Sequence, residues 1–398
     1  MTTLTTPPPA LDRVDTPDDP EAYLHDHRDA GGCRYERFGV SVDQYSHFRR
    51  WGYLVVPGLL TPEDVDELQQ HTEDLMQGQL PEQLAMEEFD PTGEHGNSNT
   101  HRGEDDTVRH LFRPPAHYSP EEKAQFFLRI HMLHRQLALH ERYLLHPRVL
   151  DVLEAILGPD VSALQSMLFL KPPGRVGQGW HQDSYYIPTT PDTLCGAWLA
   201  IDDADEYNGG LWMAKGSGAE PVYPPCPADA EKIVYGFGDK QLQSIKHIRG
   251  ASEPDDSNNL LTPVAEKYDQ VLVPVKKGDV VFFNGHILHR SKDNITEDRY
   301  RRAFVGHYFN ARSFTQWNPD QNNPAGKDEA TGGSNGSHIL ARGDTHLPFA
   351  KPRFGTPCAS LLSADQRRGN QEHVERVMAA HGDGLMGCSI ADPYLRDD

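Results

Sequence analysis

The sequence predicts a mainly β protein whose front half is helical and packs around an antiparallel β-sandwich or barrel. Three observations carry that expectation. Capped, periodic helix patterns crowd the stretch before Gly158-Pro159-Asp160. From Ser162 onward short apolar or alternating runs replace them, and turn residues separate those runs at close intervals. Short strands that close on themselves leave a mouth, and such mouths hold ligands.

In chain order, Met1 to Gly32 is rich in Pro, Thr and Asp, offers little to bury, and is expected to fray or wrap the surface. Val42 to Trp51 reads as a helix and Gly52 to Pro57 as a short strand. Thr61-Pro62-Glu63-Asp64 opens a second helix: Thr61 caps, Pro62 suits the first turn, and Val65, Leu68, Leu75 and Met76 form the apolar stripe. Gln79 to Pro115 is polar without periodicity and reads as a long loop or lid. Helical patterns return at Pro120 to Leu145 and Pro147 to Leu157, where Gly158-Pro159-Asp160 stops them.

The expected strands are Val161 to Leu170, Gly196 to Ile201, Gly210 to Lys215, Gln270 to Pro274, Asp279 to Asn284 and Arg302 to Asn310. A polar insertion at about 221–267 interrupts them. Beyond Ser313 comes a Gly- and Asn-rich loop, then one more helix from about Ala364 to Ala380. The organisation expected is a surface segment at 1–32, one helix-wrapped domain at 33–315, and an extension at 316–398 packed on it. The loop and the insertion are the expected substrate-selecting walls, because loops vary over a rigid scaffold.

Composition excludes several classes. The chain has 398 residues, of which 37% are hydrophobic, too apolar for wholesale disorder. A net charge of -21 with no basic stripe counts against a nucleic-acid reader. No run approaches the roughly twenty apolar residues a membrane helix needs. The start lacks a secretory signal, so a cytoplasmic location is the expectation. Cys33, Cys195, Cys226, Cys358 and Cys388 are scattered and odd in number, and read as free thiols.

The chemistry concentrates in three segments. In Trp180-His181-Gln182-Asp183-Ser184 an extended backbone turns His181 and Asp183 to one side and Gln182 away, so an imidazole nitrogen and a carboxylate oxygen can meet one ion. About a hundred residues later, Lys277-Gly278-Asp279 leads into an apolar strand that delivers His289 at its far end, with His286 as a rival three residues earlier. Two His and one carboxylate leave positions open on the ion, the arrangement of non-haem Fe(II) oxygenases. The third segment, Arg299 to Tyr308, is expected to pair antiparallel with the His289 strand. It brings Arg301 or Arg302, but by alternation not both, into the same cavity to hold a dicarboxylic acid. His307 reads first as a satisfied sheet histidine, with a substrate contact as the alternative. Trp180, Tyr185 and Tyr186 read first as packing residues and also as candidates for the pocket wall.

His181-x-Asp183, Ile287-Leu288-His289-x-Ser291 and Arg301-x-Ala303 resemble the phytanoyl-CoA dioxygenase family of Fe(II)- and 2-oxoglutarate-dependent oxygenases, which includes ectoine hydroxylase. The resemblance extends to Gly52 to Leu68, the strand from Gln165 to Lys171, Ala197-Trp198 and Asn208-Gly209-Gly210, and covers about Val42 to Ser313. It implies a double-stranded β-helix (jelly-roll) core wrapped by helices. It implies that His181, Asp183 and His289 bind iron, that Arg301 grips 2-oxoglutarate with Ser291 assisting, and that Gln165 and Trp198 line the cosubstrate pocket. Family spacing favours His289 over His286. Phe169 departs from the ectoine hydroxylase branch, which carries a polar residue there. Family halogenases lack the carboxylate, so Asp183 points to hydroxylation or a related oxidation (desaturation, epimerisation or ring closure) of a small metabolite using O2, with release of succinate and CO2. The alternatives are a jelly-roll metalloprotein acting without 2-oxoglutarate and a non-catalytic binding module.

Overall fold

The computed structural model describes residues 37–86, 88–89, 107–108, 111–124, 127–223, 254, 256–257, 259, 261–315 and 338–343. The segment 1–32, most of the insertion at 221–267 and the expected helix at 364–380 lie outside those residues.

Helix α1 (Val42–Trp51) begins at Ser41, whose hydroxyl accepts from the Gln44 amide while the Gln44 side chain accepts from Ser41 N–H. This reciprocal cap satisfies two donors that a helix start otherwise leaves bare. Strand β1 (Tyr53–Val56) follows, then α2 (Pro62–Gln77), capped by Thr61 and burying Val65, Leu68, Thr72, Leu75 and Met76. Each fully buried Leu of that stripe contributes roughly 1.5–3 kcal/mol of transfer free energy.

The stretch from Gln79 to Pro115 is not wholly loop: it holds α3 (Pro81–Leu84) and β2 (Thr107–Val108). The helix expected over Pro120 to Leu145 is also broken. It resolves into α4 (Pro120–Ala124), β3 (Arg129–His131), a 3-10 turn at Leu133–Arg135 and α5 (Ala138–Leu144). Sheet pairing decides this, because β3 lies antiparallel on the next long strand with Ile130 opposite Leu168, and Ile130 is fully buried. Tertiary pairing of this kind overrides the weak local preference for helix. Helix α6 (Pro147–Leu157) ends at Gly158 as expected.

The remaining strands are β4 (Val161–Lys171), β5 (Gln178–His181), β6 (Thr189–Thr190), β7 (Cys195–Ala200), β8 (Leu211–Lys215), β9 (Asp269–Val273), β10 (Val280–Asn284), β11 (His289–Ser291), β12 (Arg301–Asn310), β13 (Phe314–Thr315) and β14 (Ile339–Arg342). The short helix α7 (Asp183–Tyr186) follows β5. An eight-stranded sheet runs β1-β10-β7-β12-β4-β3-β2 with β14 also on β4, and a four-stranded sheet runs β5-β11-β8-β9. Along the chain β4, β7, β10 and β12 lie in the large sheet, and β5, β8, β9 and β11 in the small one. These eight strands pair antiparallel, and their to-and-fro between two sheets is the double-stranded β-helix, or jelly roll; only the edge pair β2–β3 is parallel among the described strands.

The large sheet is buried on both faces. Its inner face contributes Met167, Trp198, Val281, Phe283, Ala303 and Val305, which meet Leu211, Met213 and Val273 of the small sheet. Its outer face contributes Leu168, Leu170, Leu199, Phe282, Phe304 and Tyr308 to the core shared with the helices.

Two strand expectations are corrected. The run from Val280 to Ser291 is two strands in different sheets, because the chain turns over at Asn284. The Asn284 carboxamide oxygen accepts from His286 N–H at 3.2 Å and Ile287 N–H at 2.9 Å. Gly285 has no room for a side chain, since a Cβ there would lie 2.1 Å from Ser184 Oγ. Nor does β12 pair with β11: it lies between β4 and β7 in the large sheet. It therefore faces the His289 strand across the sandwich instead of along a ladder.

Candidate metal centre

His181 ends β5, Asp183 opens α7, and His289 begins β11, where His289 lies directly opposite His181 in the antiparallel register. One ligand atom from each of the three lies within 4.8 Å of the others, and all three residues are buried. Asp183 Oδ1 is 3.8 Å from His181 Nε2 and 3.7 Å from His289 Nε2. Each imidazole donates its Nδ1–H to a backbone carbonyl two residues back, His181 to Gly179 at 2.8 Å and His289 to Ile287 at 3.0 Å. Those bonds fix the ring orientation and leave both Nε2 lone pairs aimed at the Asp183 carboxylate, as metal-ligating histidines require. The Gln178 amide nitrogen stands 3.2 Å from His181 Nε2, a contact an ion would displace.

The electrostatics give the protonation states a metal needs. Burial, then the neighbouring His289, pushes His181 down to about 3, with Asp183 opposing. Burial pushes the Asp183 carboxyl up, but His289, His307 and His181 outweigh it and hold it well below the usual range. A neutral imidazole and an anionic carboxylate are the ligand forms. Two imidazoles and one carboxylate fit a ferrous ion with open positions, and they fall short of the four protein ligands of a closed structural zinc site.

Gln182 points away from this centre, as the alternation predicts. Its amide nitrogen donates to Pro221 O at 3.0 Å and His286 O at 2.8 Å. The rival His286 is not brought to the centre: it bonds Asp192 at 2.6 Å and the Glu220 carbonyl at 2.6 Å. Trp180 is fully buried beneath the Arg290 guanidinium, 4.6 Å from its ring. Tyr186 is 44% exposed with its ring 6.5 Å from that of His181, which places it at the rim.

On the facing sheet, alternation along β12 sends Ala303 and Val305 inward and Phe304 and Tyr308 toward the helices. Arg301 shares the inward parity and is 3% exposed. Its guanidinium lies 5.8 Å from the centroid of the Trp198 ring and 6.0 Å from that of Phe169. Among the described residues no carboxylate pairs with it, its Nε has no hydrogen-bond partner, and burial pushes it down to about 10. Arg302 turns to the helix side and pairs with Asp202 at 2.8 Å and Glu73 at 3.2 Å. Asp202 is thus an ion-pair partner and not only a solvated acid.

Ser291 Oγ accepts from Lys171 Nζ at 3.0 Å, and Lys171 is the residue opposite Arg301 in the β12–β4 register. Burial, then Arg301, pushes Lys171 well below its ordinary range. Gln165 contacts His307 Nδ1 at 3.1 Å and Met167 Sδ at 3.2 Å. The sequence reading missed His307 as part of the site: its Nε2 lies 3.0 Å from Asp183 Oδ2. The available signal was parity, since His307 is six positions from Arg301 on the same strand.

The family model for phytanoyl-CoA dioxygenase (PhyH) matches residues 48–303. The chain is 29% identical over 294 residues to phytanoyl-CoA dioxygenase domain-containing protein 1 of Danio rerio, covering 71% of this chain and 94% of that protein. It is 24% identical over 281 residues to the peroxisomal phytanoyl-CoA dioxygenase of Homo sapiens, covering 68% of this chain and 69% of that one. Among solved structures it is similar to EctD from S. alaskensis with 2-oxoglutarate and 5-hydroxyectoine, at 20% identity and a TM-score of 0.45 over 68% of this chain and 77% of that one.

Proposed function

The chain belongs to the phytanoyl-CoA dioxygenase family, whose model spans its residues 48–303, and from that premise we propose that it is an Fe(II)- and 2-oxoglutarate-dependent dioxygenase that hydroxylates a small organic metabolite. The observation that carries the reading is the convergence of His181, Asp183 and His289 from two strands and a helix start into one buried cluster. Bound there, ferrous iron supplies the O2 activation that couples conversion of 2-oxoglutarate to succinate and CO2 with oxidation of the substrate.

The chain's own residues do the rest. His181, Asp183 and His289 hold the ion and leave its other positions open. Arg301 is a buried guanidinium with no anion of its own among the described residues. A bidentate contact from a carboxylate would satisfy it and fix the far end of 2-oxoglutarate. Trp198 walls that end, and Ser291 with Lys171 adds a second hydrogen-bonding group beside it. The apolar lining of Met167, Phe283 and Val305 keeps water out, which strengthens every charge contact within. Arg301, without a carboxylate partner among the described residues, also favours this reading over a jelly-roll metalloprotein that dispenses with 2-oxoglutarate. The reading of 33–315 as one domain with the following segment packed on it is supported by β14, which pairs with β4 at Ala163 and Ser162.

The test is anaerobic titration of the protein with Fe(II) and then 2-oxoglutarate, followed by a screen of small metabolites under air. A weak visible absorbance band requiring both additions, and succinate release stimulated by a substrate, are expected. Iron binding with neither signal would favour the metalloprotein alternative, and no iron binding would favour the binding module.

A further inference from the structure

Two buried side chains outside the ligand set run as a chain into it. His307 Nε2 lies 3.0 Å from Asp183 Oδ2, and the Gln165 amide nitrogen lies 3.1 Å from His307 Nδ1. Gln165 and His307 are each 4% exposed and stand opposite one another in the β12–β4 register. Immediately beyond them the register slips, so that Tyr308 faces Ala163 and Leu164 is passed over. The bulge ends the inward parity of β4 at Gln165: Met167 packs inside the sandwich, while Ala163 packs with the helices.

Hydrogen-bonding capacity fixes the roles. An amide nitrogen only donates, so His307 Nδ1 accepts from Gln165, and Nε2–H donates to Asp183. With Oδ2 held in this way, Oδ1 is the oxygen left facing His181 Nε2 and His289 Nε2. A carboxylate free to rotate could bring both oxygens onto an ion and take a position that the reaction needs open.

We propose that His307 is a positioning residue that holds Asp183 to a single-oxygen contact with the metal, and that Gln165 serves it by fixing the imidazole tautomer. This rests on the reading that the three ligands hold ferrous iron. It gives Gln165 a role through His307 in place of the direct cosubstrate contact that resemblance implied.

The experiment measures the dissociation constant for Mn(II), a redox-stable probe, on the full chain. His307→Leu should weaken binding about 10- to 100-fold, the usual effect of losing such a partner. His307→Gln, whose amide N–H reaches close to the Nε2 position, should recover most of the affinity. Gln165→Leu should weaken it several-fold. Thermal unfolding of the metal-free variants separates packing from positioning, because a packing role would lower the midpoint without changing affinity in the folded protein. Wild-type binding that Asp183→Ala abolishes but both His307 variants retain would overturn the inference alone. A Gln165→Leu variant that raises only the 2-oxoglutarate KM would overturn the tautomer role. No Mn(II) binding by the wild type would overturn the functional reading, and the inference with it.

Discussion

Arg301 and Arg302 are neighbours on β12 and face opposite worlds: Arg301 lies against Trp198 inside the sandwich with no carboxylate partner among the described residues, while Arg302 is locked to Asp202 on the helix side. Their substitutions should separate accordingly. Arg301→Ala is expected to raise the 2-oxoglutarate KM at least tenfold and to leave the unfolding midpoint level or higher, since a buried charge without a partner does not stabilise the fold. Arg302→Ala should cost about 1–3 kcal/mol of stability by leaving Asp202 with unmet hydrogen bonds, at little change in KM. Steady-state kinetics and denaturant titration check both. The opposite ranking would mean that the strand facing is misread.

His289 and His286 make a similar pair. His289→Ala should abolish metal binding and turnover. His286→Ala should preserve metal binding and cost only its contacts with Asp192 and the Glu220 carbonyl, of which the ion pair is partly exposed and so is worth little. Metal binding retained in His289→Ala and lost in His286→Ala, read by metal titration, would remove His289 from the ligand set.

Gly177 lies beside β5 and β11, the strands that carry two of the proposed ligands, His181 and His289. A Cβ there would sit 2.1 Å from Ser291 O, a backbone atom that cannot swing away. Gly177→Ala should therefore push β5 from β11, lower stability by about 1–3 kcal/mol and weaken metal binding. Normal Mn(II) affinity in this variant would show that the ladder tolerates the displacement.

Stability should fall in mild acid because of buried histidines between the helices and the large sheet. Burial pushes His71 down to about 4, and burial with the neighbouring His71 and His134 pushes His140 well below its ordinary value. The unfolded chain takes up protons near pH 6.5, whereas the folded His71 refuses one until about pH 4. The unfolded state binds more protons between those values, so stability declines as pH falls through that window, by up to roughly 3 kcal/mol for His71 alone. Urea titrations at pH 7.5 and pH 5 should show the decline. His140→Leu, which replaces a ring whose two nitrogens have no partner among the described residues and which packs on Phe304, should make it shallower by the His140 share. An unchanged slope in that variant would assign the acid sensitivity elsewhere.

The sequence by itself determined the parts of this protein that are local. Capping residues fixed α1 and α2, turn residues bounded the core strands to within a residue or two, and period-two alternation turned His181 and Asp183 one way and Gln182 the other. It also limited the inward arginine to one of two. Tertiary structure alone decided which strands meet. Arg129–His131 became a strand because β4 offered it a ladder, and Val280 to Ser291 split between two sheets because Asn284 and Gly285 allow a sharp turn. The choice between Arg301 and Arg302, and the contact of His307 with Asp183, both follow from which face of β12 looks into the sandwich. Spacing along a chain encodes backbone periodicity, whereas these contacts join residues distant along it: about forty positions for the β3–β4 ladder, and more than a hundred for Arg301 with Trp198 and His307 with Asp183.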